Sequence, residues 1–214
     1  MAQERFGKPY IWVTWLAGLL AGEDQCAWAA WFKAHYVFDK EPSDFDSVEY
    51  NRRHKELLDK RVADLRADGW TVTKERQNAF KLIGESAVLA GKPDIIAVRG
   101  SEGLVVDVKS GQQANKHVWQ VLMYLAALPR VRFDLKPLTL RGEVYYAGGH
   151  AVPVSDADVA SMESRIWTQV KESAFSIPPE KVPSEQECEM CSIPKSECAD
   201  RLAVPAAVGE TKDF

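Results

Sequence analysis

Two short apolar runs, residues 93–99 and 103–109, are separated only by a glycine-bearing turn, and together they constrain the fold more than any other feature. Each has the length and the Ile/Val content of a strand. Each also carries a carboxylate: Asp94 opens the first run, and Asp107 lies near the end of the second, two places before Lys109. Side chains alternate along a strand, so Asp107 and Lys109 face one way while Val106 and Val108 face the core.

Around these runs the pattern is mixed. Residues 10–21 and 27–38 are rich in Trp, Leu and Ala and read as helices broken near Gly22. An acidic loop, 39–46, leads to a long amphipathic helix over 48–68, with His54, Leu57, Leu58, Arg61, Val62 and Leu65 on one face. Strands are expected at 70–75, 79–83, 86–90, 93–99 and 103–109, then a helix over 116–128 stopped by Pro129, a strand at 142–147, and a helix capped by Ser155 that runs to about Ala174. The tail from Ile177 is irregular. The fold class is therefore α/β, a central mixed sheet flanked by helices, with a helical cap over 1–47, a core over 48–175 and a cysteine-bearing tail over 176–204. Residues 205–214 are expected to be disordered.

A chain of 214 residues with 46% hydrophobic content can bury a sizeable core. Its net charge of −4 does not advertise a nucleic-acid partner, yet Arg52, Arg53, Lys55, Lys60, Arg61 and Arg66 concentrate positive charge within one helix. The longest apolar stretch, Tyr10 to Ala21, is too short to span a bilayer, and the N-terminus lacks a secretory pattern. A cytoplasmic protein is expected, in which cysteines serve as metal ligands rather than disulfides.

The carboxylate pair with its lysine suits hydrolysis of a phosphodiester. That reaction needs a positioned, acidified water and neutralisation of charge developing on the phosphoryl oxygens. Asp94 and Asp107 supply hard oxygen ligands for Mg²⁺ or Mn²⁺, the Val108 carbonyl a third, and Lys109 a cation that orients water or stabilises the transition state. A surface hairpin with a cross-strand salt bridge would use the same tripeptide, but Pro93 before Asp94, Ser110-Gly111 after Lys109 and a following helix favour the site. Glu75 reads as a solvated strand end. His35, His117 and His150 show no ligating spacing and fall outside it.

These residues, Gly91-Lys92-Pro93-Asp94, Asp107-Val108-Lys109-Ser110-Gly111 and Gln120 through Tyr124, resemble the PD-(D/E)xK nuclease superfamily and within it the RecB-like branch. The resemblance implies that His54 is a further metal ligand and that Gln120 and Tyr124 form the branch's Gln-x-x-x-Tyr signature beside the site, contacting DNA or the lysine. It implies a metal-dependent exonuclease acting on single-stranded DNA, commonly from the 5′ end, with some endonuclease activity.

Cys188, Cys191 and Cys198 crowd the tail, and Cys26 lies far upstream. A four-cysteine iron-sulfur centre tolerates this irregular spacing better than structural zinc, which more often uses paired motifs; zinc and free thiols stay as alternatives. The one-plus-three layout resembles the iron-sulfur subset of RecB-like nucleases, including the CRISPR-associated exonucleases and their stand-alone phage relatives, and this resemblance implies a 4Fe-4S cluster. It departs in a longer last spacing and in Ala27, where proline commonly follows the first cysteine. The implied setting is CRISPR adaptation or phage or cellular recombination, with an integrase or recombination proteins as partners. An adaptor in such a complex and a restriction-type endonuclease are the rival readings. Trp12, Trp15, Trp28 and Trp31 are expected to pack the cap and shield the cysteines rather than stack on bases.

Overall fold

The computed structural model describes residues 1–42 and 46–203, so the middle of the acidic loop and the expected disordered end lie outside the described residues. In chain order the elements are β1 (Gln3–Glu4), β2 (Tyr10–Trp12), α1 (Val13–Ala21), α2 (Ala27–His35), β3 (Tyr36–Val37), α3 (Ser47–Ala67), β4 (Thr71–Lys74), a 3-10 turn (Glu75–Asn78), β5 (Phe80–Ile83), β6 (Val88–Gly91), β7 (Ile95–Arg99), β8 (Glu102–Lys109), α4 (Asn115–Val131), β9 (Thr139–Tyr146), a second 3-10 turn (Ala147–Gly149), β10 (Ala151–Val154), α5 (Asp156–Glu172) and α6 (Glu185–Met190). The main sheet has the order β10-β9-β8-β7-β4; β8 and β9 run parallel and the other neighbours antiparallel. A smaller sheet, β2-β6-β5, and the two-stranded β1-β3 ribbon complete the strands among the described residues. This is an α/β fold of mixed sheets flanked by helices.

Alternation along β8 sorts its side chains between two helical layers. Leu104, Val106 and Val108 pack with Leu58, Val62 and Leu65 of α3, at the helical spacing that made this helix legible. Val105 enters the larger cluster, built from α4 with α1 and α5. Asp107 and Lys109 share the Val105 side, so Asp107 faces α4 and is buried rather than lying on an open surface. Both faces of β8 are covered, where the sequence suggested one.

Helix α4 is apolar nearly all round, and Gln120 through Leu128 are all buried, as expected for a helix enclosed by other elements. It continues past Pro129 to Val131. The donor that proline withholds would have met the Leu125 carbonyl, and only two residues follow, so the helix loses little by it. Gly142 lets β9 approach this helix, since a Cβ there would stand 2.3 Å from Val121 Cγ1.

Three further boundaries differ from the sequence reading. Residues 10–12 form a strand, with Ile11 buried and its neighbours half-buried, because β6 offers a parallel edge to pair with. Strand β10 contains Pro153, which an edge strand tolerates. The tail is not wholly irregular: Ser184 caps α6. Glu187 of α6 accepts from the Gln25 and Cys26 amides at 2.9 and 3.1 Å, while the Ala2 amide donates to Glu197 at 2.7 Å, so the two chain ends are stitched together. Ser155 caps α5 as expected, in a capping box with Asp158. Among the described residues no helix is long and apolar enough to cross a membrane.

Candidate active site

Asp94 stands at the entry to β7, and its backbone is held by a short polar corner. Asn78, fully buried, donates from Nδ2 to the Thr73 carbonyl at 3.1 Å and the Pro93 carbonyl at 3.2 Å, and accepts from Thr73 Oγ1 at 2.7 Å. The Glu75 amide donates to the Asp94 carbonyl at 2.9 Å, and Glu75 adopts a positive φ of 50° to do so. With this backbone pinned, Asp94 Oδ2 accepts from the Val108 amide at 2.8 Å and lies 3.3 Å from His54 Nε2 of α3.

Asp107 meets α4. Its Oδ1 accepts from Gln120 Nε2 at 2.7 Å, and Gln120 Oε1 accepts from Lys109 Nζ at 3.0 Å. Gln120 also donates to the Tyr124 hydroxyl at 2.9 Å. Lys109 Nζ lies 2.7 Å from Asp107 Oδ2, and this ion pair is the one polar contact of that buried oxygen among the described residues. Tyr124 can come this close because residue 91 is glycine: a Cβ there would stand 2.7 Å from the Phe80 ring and 2.8 Å from Tyr124 Cε1.

Burial and charge pull against each other here. Burial raises the Asp107 carboxyl to about 6, helped by the Asp94 charge and opposed by Lys109. Burial alone would lower Lys109, but the Asp107 and Asp94 carboxylates outweigh it and the net shift is upward. Lys109 therefore keeps its proton at neutral pH. The hydrogen bond to Asp94 raises His54, against its partial burial, and burial raises the Tyr124 phenol well above its usual value.

The sequence-derived residues His54, Asp94, Asp107, Val108, Lys109, Gln120 and Tyr124 are therefore brought together, linked by direct contacts. Two carboxylates and an imidazole, one buried carboxylate oxygen being met only by the Lys109 ammonium, are a donor set suited to a hard divalent cation. As the side chains stand, no group of three or more His, Cys, Asp or Glu among the described residues is arranged to hold a metal ion. Carboxylates drawn into mutual hydrogen bonds and ion pairs are in the arrangement a cation would have to displace. Asn78 escaped the sequence reading, because it lies in a run of polar residues with no periodic signal. Gly91 opens the quoted Gly-Lys-Pro-Asp motif, and the structure adds its role in admitting the Phe80 and Tyr124 rings.

The four cysteines are free and line one cavity of about 550 Å³ between α1, α2 and the tail. Trp28 and Ile193 line it and cluster with Trp31 and Phe32, and Cys26, Cys191 and Cys198 pack against that cluster, so these two tryptophans are packing residues as expected. Burial raises the Cys198 thiol, while the nearby Lys181 ammonium opposes that shift.

A family model described as the PD-(D/E)XK nuclease superfamily matches residues 16–196, and the chain belongs to this superfamily. Membership implies a metal-dependent nuclease. No curated protein matches. Among solved structures, one titled "Crystal structure of SSO0001" is similar, with 13% identity over 94% of this chain and 91% of that one and a TM-score of 0.48.

Proposed function

We propose that this chain is a deoxyribonuclease that degrades single-stranded DNA from an end, with 5′-to-3′ polarity and a lesser endonuclease activity, in CRISPR adaptation or in phage or cellular recombination. The observation that carries the nuclease reading is the contact chain Asp94–Val108, Asp107–Gln120–Lys109, with buried Asp107 Oδ2 held only by the Lys109 ammonium. The polarity, substrate and setting rest on the motif resemblance.

Asp94, Asp107, His54 and the Val108 carbonyl would hold Mg²⁺ or Mn²⁺, which when bound acidifies water and offsets phosphoryl charge. Lys109 keeps its proton at neutral pH, so it serves as a fixed donor to a phosphate oxygen or to the attacking water, not as a base. Gln120 aims Lys109 by accepting one of its hydrogens and holds Asp107 with its amide. Tyr124 keeps its proton too, and braces Gln120 against the Lys92 carbonyl.

The domain is taken as single over 1–204, with the cap at 1–47, the nuclease core at 48–175 and the tail at 176–204. Cys26, Cys188, Cys191 and Cys198 would ligate a 4Fe-4S cluster in a structural role. Their shared cavity supports this, and the thiols must turn inward and ionise to do it.

Lys109→Ala and Asp107→Ala, assayed on end-labelled single-stranded DNA with Mn²⁺, are expected to abolish cleavage with an unchanged circular dichroism spectrum. Full activity in both would sink the assignment. Labels on the 5′ or 3′ end report polarity. Iron and sulfide should be quantified after purification without oxygen; a colourless, iron-free but fully active protein would defeat the cluster and spare the nuclease.

A further inference from the structure

The parallel pairing of β8 with β9 sets Lys109 opposite Tyr146, and both side chains lie on the α4 face of the sheet. Helix α4 grips this end of the sheet with two side chains one turn apart. Gln120 holds Asp107 and Lys109 of β8, while His117 Nδ1 lies 3.0 Å from the Tyr146 hydroxyl of β9. The Tyr146 ring is buried and is stacked on its far side by the exposed His150, with centroids 6.3 Å apart and planes at 24°. None of these three residues showed ligating spacing in the sequence; the strand register assembles them.

Donation from the Tyr146 hydroxyl to His117 Nδ1 leaves the imidazole proton on Nε2. That Nε2 has no hydrogen-bond partner among the described residues. Burial first, then the Lys109 and Lys116 charges, push the His117 pKa down to about 4, so the ring is a neutral donor at physiological pH. Glu23, the carboxylate acting on His117, is itself 3.8 Å from Lys116 Nζ. A neutral ring N–H within the field of Lys109 and Lys116, each of which also faces a carboxylate, is a donor an anion can use.

We propose that His117, oriented by Tyr146, is a substrate-contacting residue whose Nε2–H donates to a phosphate oxygen of the DNA strand beside Lys109. This rests on the nuclease reading above. The contact is made before and during reaction alike, so its loss raises KM and leaves kcat nearly unchanged.

The test compares His117→Ala with His117→Gln, which keeps an N–H donor, in the full chain. Binding of a fluorescent oligothymidylate in chelator is measured alongside Mn²⁺-dependent cleavage. His117→Ala is expected to raise Kd and KM about tenfold, as for one hydrogen bond to a charged group, with kcat within about twofold. His117→Gln should restore most of the affinity. Unchanged Kd and KM in His117→Ala would overturn the proposal while leaving the nuclease intact. Equal damage in both variants, accompanied by a lowered melting temperature, would also overturn it and assign His117 to packing. A wild-type protein that neither binds nor cuts DNA would refute the nuclease reading and this contact together.

Discussion

Replacing Gln120 by Leu keeps the volume and shape of the side chain in a buried position while removing its amide, so it isolates the polar contribution of one residue. The amide donates to Asp107 Oδ1, accepts from Lys109 and braces Tyr124. Asp107 Oδ2 is met only by Lys109, so in the variant the whole buried carboxylate would keep only that ion pair. Hydrogen bonds to charged groups contribute about 1.5–3 kcal/mol each, which puts the loss near 3 kcal/mol.

For a chain of this size that corresponds to a melting temperature lower by about 6–12 °C in chelator. Cleavage under Mn²⁺ should fall by about a hundredfold in kcat, because Lys109 loses the acceptor that aims it. Differential scanning fluorimetry and single-turnover cleavage read the two effects separately. A Gln120→Leu protein with wild-type melting temperature and wild-type kcat would refute the reasoning, since the carboxylate and lysine would then be shown not to depend on the amide.

Asn78→Ala should lower stability by about 2–4 kcal/mol, a fall of about 5–15 °C in melting temperature, because two carbonyls and the Thr73 hydroxyl lose a buried partner. Wild-type thermal stability would show the Asp94 corner to be held by something else. Gly91→Ala should destabilise by about 1–3 kcal/mol through its clash with the Phe80 and Tyr124 rings, and should reduce cleavage by displacing Tyr124 from Gln120. An active, equally stable variant would mean the rings move aside freely. The Asp59 carboxyl is held down at about 2 by Lys55 and Lys74, so its contribution to stability is present above about pH 4 and disappears as pH falls toward 2. Asp59→Asn should flatten the acid side of the stability profile in that window, and an unchanged profile in urea melts would exclude the role.

Motifs and periodic faces carried most of the fold and most of the site. Helix α3 was legible because Leu58, Val62 and Leu65 repeat at helical spacing, and β8 because it is a run of valines ending in Asp107 and Lys109. Tyr10 to Trp12 misled because an apolar run of that length fits strand or helix equally, and only the edge of β6 decides. His117 and Tyr146 were invisible for a different reason. Their pairing arises from a parallel crossover and a strand register that no local pattern encodes. Asn78 likewise acts only through carbonyls, Pro93 among them, that the fold brings to it.

The seam formed by Glu187 with the amides of Gln25 and Cys26 joins residues 161 and 162 positions apart. During synthesis the N-terminal partners of that seam emerge long before the carboxylate that closes it, so the cysteine cavity cannot close until α6 has been made. Helices α1 and α2 must wait with their cysteine face open. A product truncated before Ser184 can build the β8 site but cannot seal the pocket beside it.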